Sequence, residues 1–367
     1  MASSSLSPQE NPLAVEKVSK LIAKFGIPSI VSFLVSALYN IVDQIFIGQG
    51  VGMLGNAATN VAFPLSTIAT SLALLLGIGG AANFNLSMGR GDQERAGYMA
   101  GNAISFLGIF GIGLAGITLL FLHPLMAIFG ATEQVMPYAI TYTSITAFGL
   151  PFVIFSTGCS HLIRADGSPT YSMACMLSGA IVNTILDPLF IFTFDMGIAG
   201  GALATVIGQV LSACMALYYL FHFRSTPLTR SRLRPRLCHL KAIASLGAAP
   251  CFNQLAMTAV QITLNNTLTY YGALSLYGSD IPLACVGVIS KVNMVFMAIC
   301  IGLAQGCQPI WGFNYGAGNY VRVRHTYKRS MQIALVVGGI CFVCFQVFPR
   351  QIVSIFGNGS EEYFRFA

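Results

Sequence analysis

The sequence predicts an all-α integral membrane protein built as two pseudo-symmetric six-helix bundles, twelve transmembrane helices in full, of which this chain carries about nine. Three observations predict it: an apolar composition, a series of bilayer-length apolar stretches, and a long internal repeat. Hydrophobic residues make up 55% of the 367 positions and charged residues only 8%, against about 25% charged in soluble domains. With a mean hydropathy of +0.72, the chain has too few polar side chains to cover a water-exposed surface, so lipid is its expected solvent.

Apolar stretches of about 20 residues, long enough to span a bilayer as helix, lie near 25–47, 57–82, 98–121, 137–160, 170–193, 198–222, 243–271, 282–308 and 326–348. Short Gly, Pro or charged loops separate them. Orientation follows from Lys and Arg, which accumulate on the cytosolic side. Alternate segments hold Lys17, Lys20 and Lys24; Arg90 and Arg95; Arg164; Arg224, Arg230, Arg232, Arg234, Arg236 and Lys241; and Arg322, Arg324, Lys328 and Arg329, which is 16 of the 19 basic residues. Arg350 and Arg365 fall on the opposite side and Lys291 within a span. The amino terminus and every even-numbered loop are therefore expected in the cytosol, and the net charge of +7 requires no nucleic-acid partner. Residues 1–20 are polar and the first apolar run is long enough to span, so no cleavable signal peptide is expected.

The repeat is read from short matches. Gly89–Asp92 (GRGD) recurs as Gly316–Asn319 (GAGN), and Ile128–Gly130 as Ile355–Gly357, both offset by 227; Pro28 matches Pro250 at an offset of 222. An even number of helices per repeat keeps both copies in one orientation, related by an axis along the membrane normal. The expected division is a tail at 1–20, a six-helix lobe at 21–222, a basic linker at 223–241, and the first three helices of a second lobe at 242–367. On this repeat, about 80 residues forming three further helices are expected beyond Ala367.

Of the ten cysteines, Cys159, Cys175, Cys214, Cys285, Cys300 and Cys307 fall inside apolar runs and read as small apolar residues. Cys341 and Cys344 form a C-x-x-C in mid-span, where packing is expected rather than redox or metal chemistry. Gly111–Gly116 fits G-x-G-x-x-G, but with no strand before it the spacing reads as helix packing, like Gly97–Gly101, Gly197–Gly201 and Gly302–Gly306. The absence of a G-K-[ST] phosphate loop argues against an ATP-driven pump within this chain.

Three ionisable residues sit deep in the spans: Asp43, Asp187 and Lys291. Each costs on the order of 2.5–3.5 kcal/mol on insertion scales, so each calls for a reason. Counted from the outer ends of their helices, Asp43 lies about five residues deep, Asp187 about six and Thr205 about seven, within roughly one helical turn of a common depth. Asn183 shares the face of Asp187 one turn deeper. Pro188 donates no backbone hydrogen bond, which frees the carbonyl of Thr184. Two carboxylates, an amide, a hydroxyl and free carbonyls suit a hard cation such as Na⁺. A proton shared by a carboxyl pair fits equally well, and spacing alone leaves both open.

Five motifs then carry a resemblance: YNIVDQIFIG in the first span, GRGD after the second, NTILDPLFIF in the fifth, GIAGGALATVIGQ in the sixth and GLAQGCQPIWGFNYGAG at the end of the eighth. From about Leu21 onward the chain resembles the multidrug and toxic compound extrusion (MATE) family, in its DinF-type branch. The resemblance implies a secondary antiporter of the inner (plasma) membrane, working as a monomer without a cofactor. It implies export of bulky, lipophilic, often cationic organic compounds in exchange for H⁺ or Na⁺, by alternating access of two lobes. It places the coupling site on Asp43, Asn183, Asp187 and Thr205, the residues that depth had already grouped. Another branch of the family carries an acid on the seventh helix, where this chain has Gln261, Asn265 and Asn266; the repeat aligns Asn265 with Asp43. Candidate substrate residues are Tyr39, Asn40, Met176, Gln209, Gln261 and Asn265, an aromatic, thioether and amide set suited to flat organic cations.

Two other classes fit part of the pattern. A lipid-linked saccharide flippase of related fold requires a strongly cationic cavity, whereas the deep charges here are two Asp against one Lys. An intramembrane aspartyl protease requires Gly-x-Gly-Asp around one acid, and Asp187 stands in NTILDPLF.

Overall fold

A computed structural model describes residues 11–274 and 280–354; the repeat copy Ile355–Gly357 and the side chains of Asn265, Asn266, Cys285 and Lys291 lie outside the described set. Among the described residues nine long helices dominate: α1 (Val18–Val51), α2 (Met53–Gly89), α3 (Gln93–Leu120), α4 (Met136–Ala165), α5 (Pro169–Pro188), α6 (Gly197–Phe221), α7 (Leu237–Ala273), α8 (Asp280–Gly316) and α9 (Tyr320–Val347). Every one of them includes a stretch long and apolar enough to cross a bilayer, and no strand occurs among the described residues. The helices overrun the predicted spans, because hydropathy registers only the lipid-facing middle while hydrogen bonding carries the helix into the polar interface. Large apolar side chains on the perimeter, such as Ile112, Phe121, Phe148 and Ile185, are more than half exposed, as a lipid-facing surface requires.

The GRGD/GAGN match is a capping signal. Gly91 (φ 79°) and Gly318 (φ 73°) take the left-handed conformation that closes α2 and α8. The next residue then caps the following helix: Asp92 accepts from the Arg95 N–H (2.9 Å) and Asn319 from that of Arg322 (3.3 Å). Short helices after α3 (Leu122–Ile128) and α9 (Pro349–Ser354) begin at positions offset by the same 227. The C-x-x-C thiols of α9 are free.

The α1–α6 bundle packs around Leu76, Phe84, Leu107, Ile154 and Leu162. The bundles meet on the halves nearest the face that carries the basic linker, hereafter the basic face. There α1 packs on α8 and α2 on α7. A Cβ added to Gly247 of α7 would lie 1.8 Å from the Leu75 carbonyl oxygen, and one on Gly89 would lie 2.0 Å from that of Phe313, so these backbones touch. The eighth-span motif supplies polar ties across this seam. Gln308 donates to the Ile78 carbonyl (3.2 Å) and Asn314 to that of Leu13 (3.0 Å). Gln305 accepts from Arg164 (3.4 Å), a buried guanidinium also held by Ser29 (3.2 Å) and His161 (2.9 Å). Toward the far face, α7 presents Ile262, Thr263, Leu264 and Tyr270 exposed.

Each bundle is entered through a short helix that docks on the opposite bundle. Ahead of α7, Arg230–Leu233 lies on α3: the Arg232 carbonyl accepts from Asn102 (3.1 Å), that of Leu233 from Ser105 (2.5 Å), and Arg236 rests over Tyr98 (5.0 Å). Ahead of α1, Pro12–Val15 lies on α8 and α9, where Arg322 donates to the carbonyls of Leu13 (3.1 Å) and Glu16. A buried node closes the basic end of the first bundle. Asp166 accepts from the Tyr219 hydroxyl (2.8 Å) and from the N–H groups of Arg224 (2.8 Å) and Ser225 (2.9 Å). Burial raises its carboxyl above the usual range, with these hydrogen bonds pulling the other way.

Candidate functional site

The site is set up by a close approach of α5 and α6. A Cβ on Gly208 would fall 2.6 Å from the Gly179 carbonyl oxygen, and one on Gly179 would fall 2.1 Å from Ser212 Oγ, so glycine is required at both positions. One turn from this contact, Asn183 bridges the two helices. With its amide oriented to satisfy both sides, Nδ2 donates to Asp187 Oδ2 (3.1 Å) and the amide oxygen accepts from the Thr205 hydroxyl (3.3 Å) and N–H (3.1 Å). Asp187 is fully buried and Asn183 nearly so. Asp43, on α1, comes within hydrogen-bonding reach of Asp187, and one of its oxygens is enclosed without a donor. Two carboxyl groups in that relation need a shared proton or a cation to hold them together.

Along the helices Asp43 lies eight residues from Val51, three deeper than the count from sequence, Asp187 six from Thr193 and Thr205 eight from Gly197, so the three stay within about one turn of a common depth. The predicted single helix 170–193 differs in one respect, because after Pro188 the chain widens into a π turn at Leu189–Thr193. Pro188 lacks the N–H that would bond Thr184, and the wider turn absorbs the break.

The substrate candidates separate by placement. Tyr39 borders an apolar groove of about 270 Å³ between α1 and α5, lined also by Val42, Ile181 and Thr184. Asn40 is exposed and donates to the Ser36 carbonyl (2.6 Å). Met176 is half-buried on α5 and Gln261 half-buried on α7, while the Asn265 side chain lies outside the described residues. Gln209 turns into its own bundle, with Oε1 against Gly149 of α4 and no donor to it. Sequence reading missed Tyr142 of α4, which lies near Asp43, Asp187 and Tyr39. Its one sequence signal is a hydroxyl at similar depth, six residues into α4.

A helical membrane protein whose two bundles close at one face, with a carboxyl pair sunk in one of them, has the build of a membrane transporter. The MatE family profile matches residues 28–189 and 251–365, and the chain belongs to that family of efflux transporters. Among curated proteins it is similar to the multidrug export protein MepA of Staphylococcus haemolyticus strain JCSC1435, 25% identical over 94% of this chain and 75% of the relative. MepA of Staphylococcus aureus strain MSSA476 is 26% identical over the same shares. Among solved structures, an outward-facing multidrug resistance MATE family transporter of the MOP superfamily superposes with a TM-score of 0.88 at 24% identity, over 96% of this chain and 78% of that one. A MOP superfamily transporter from Pyrococcus furiosus, described as having a binding pocket of reverse polarity, gives a TM-score of 0.87 at 24% identity, over 97% and 78%. At these identities the two structures speak to the fold.

Proposed function

We propose that the protein is a secondary antiporter of the inner (plasma) membrane, its amino terminus cytosolic and its basic linker joining the two lobes, which exports lipophilic organic cations in exchange for H⁺ or Na⁺. The observation that carries this reading is the Asp43–Asp187 pair, bridged through Asn183 to Thr205. Loading an ion there removes the repulsion between the carboxylates and favours one arrangement of the bundles; a cationic substrate, drawn by the emptied pair, favours the other. With the basic face cytosolic, the closed seam there separates the carboxyl pair from the cytosol. The coupling ion is the only bound species that the mechanism requires; it needs no nucleic acid, no resident cofactor and no second copy of the chain.

The test is efflux of a fluorescent lipophilic cation from loaded cells, with pH and Na⁺ gradients imposed separately. Efflux driven by one gradient and indifferent to the other is expected, and it names the ion. Indifference to both overturns antiport and favours flipping of lipid-linked anions. Against that second reading, Arg164, the guanidinium buried between the bundles, is already enclosed by Ser29, His161 and Gln305.

A further inference from the structure

We propose that the groove between the start of α1 and α9 is a binding site for an anionic phospholipid, with its phosphate at the basic face and an acyl chain along the helices. The groove encloses about 860 Å³. One end is walled by Lys17, Arg322, His325 and Arg329, with Ser19 and Gln332 beside them, and the rest by apolar side chains including Ile22, Ile333 and Val336. From Arg322 to Val336 the groove runs fourteen residues of helix, about 21 Å at 1.5 Å per residue, close to the length of an extended acyl chain. Charge and apolar surface therefore follow each other in the order that a lipid of the basic-face leaflet presents them.

By pseudo-symmetry this groove matches the one on α3. Offset by 227, His325, Arg329 and Gln332 of α9 correspond to Tyr98, Asn102 and Ser105 of α3. The α3 copy is occupied by the Arg230–Leu233 helix, which offers carbonyl oxygens to Asn102 and Ser105. On α9 the matching helix, Pro12–Val15, offers its Leu13 carbonyl to Arg322. Arg329 stands where the α3 copy has Asn102, while Arg322 matches Arg95, so with Lys17 the α9 groove presents a cation cluster suited to anionic oxygens. Glu16, the nearby acid, pairs with Lys20 and Lys24 (3.9 Å each).

The test is native mass spectrometry of the protein in non-ionic detergent with dioleoyl phosphatidylglycerol or dioleoyl phosphatidylethanolamine added. Phosphatidylglycerol is expected to be retained preferentially. The double variant Lys17→Gln/Arg329→Gln is expected to lower its retention roughly 25-fold, taking roughly fivefold per basic residue, while Arg324→Gln, which lies outside the groove, leaves it unchanged. Val336→Trp fills the apolar end with every charge intact and is expected to reduce retention as well, which keeps the test open should the double variant fold poorly. Equal retention of the two lipids, or undiminished phosphatidylglycerol binding in both groove variants, overturns the proposal. So does competition by inorganic phosphate at equal concentration, which marks a soluble-anion site, or binding that emerges only when residues 1–10 are removed, which assigns the groove to that segment.

Discussion

Membranes carrying Asp187→Asn are expected to lose ion-driven efflux by about 100-fold, toward the upper end of ordinary coupling free energies, while holding a wild-type amount of protein. The substitution keeps shape and volume, and the Asn183 amide still finds an oxygen to donate to, so α5 and α6 stay together. What disappears is the charge that has to be neutralised before the bundles rearrange. Asp43→Asn is expected to act in the same direction, because either change leaves a single carboxyl that no longer needs a shared ion. Efflux measured against immunoblotted membrane protein separates lost coupling from lost insertion. Wild-type efflux in both variants contradicts the assignment of the pair.

The second large effect is expected at the seam. Gly247→Val places a branched side chain where even a Cβ would lie 1.8 Å from the Leu75 carbonyl oxygen. A backbone atom cannot swing aside as a flexible side chain would, so the contact opens. Overpacking of this kind costs about 2 kcal/mol, roughly thirtyfold in the balance between closed and open. Cys307 reports it, being fully buried among Leu21, Phe25 and Ile310 on the α1–α8 side of the same seam. Labelling by a maleimide, read site by site by mass spectrometry, is expected to rise at Cys307 in Gly247→Val. No rise is expected in Gly113→Val, where a Cβ meets open space. Unchanged protection of Cys307 together with wild-type efflux contradicts the reading of this seam as a gate.

Much of this architecture is legible in the sequence because it varies along one dimension. Helix count follows from runs of apolar residues, and the repeat from GRGD and GAGN, which prove to be two copies of one capping turn. The common depth of Asp43, Asp187 and Thr205 follows from counting at a fixed rise. What stays hidden is direction around each helix axis, which only packing decides. Gln209 and Thr205 share a face four residues apart, yet Gln209 is turned into α4 while Thr205 meets Asn183. Tyr142 comes near the carboxyl pair from a helix that no spacing rule connects to it. The π turn after Pro188 replaces the regular helix end that hydropathy implies. The short docking helix Pro12–Val15 spans four residues, too few to leave a periodic signal.

The central claim is that ion and substrate exclude each other through Asp43 and Asp187. Its most direct test is equilibrium binding of a fluorescent lipophilic cation to the purified protein across a grid of pH and Na⁺ concentration, in wild type and in Asp43→Asn. The expected result is that substrate affinity falls as the coupling ion rises in the wild type, by linkage, and is flat in the variant. Affinity that ignores both ions in the wild type, with binding itself intact, contradicts the account.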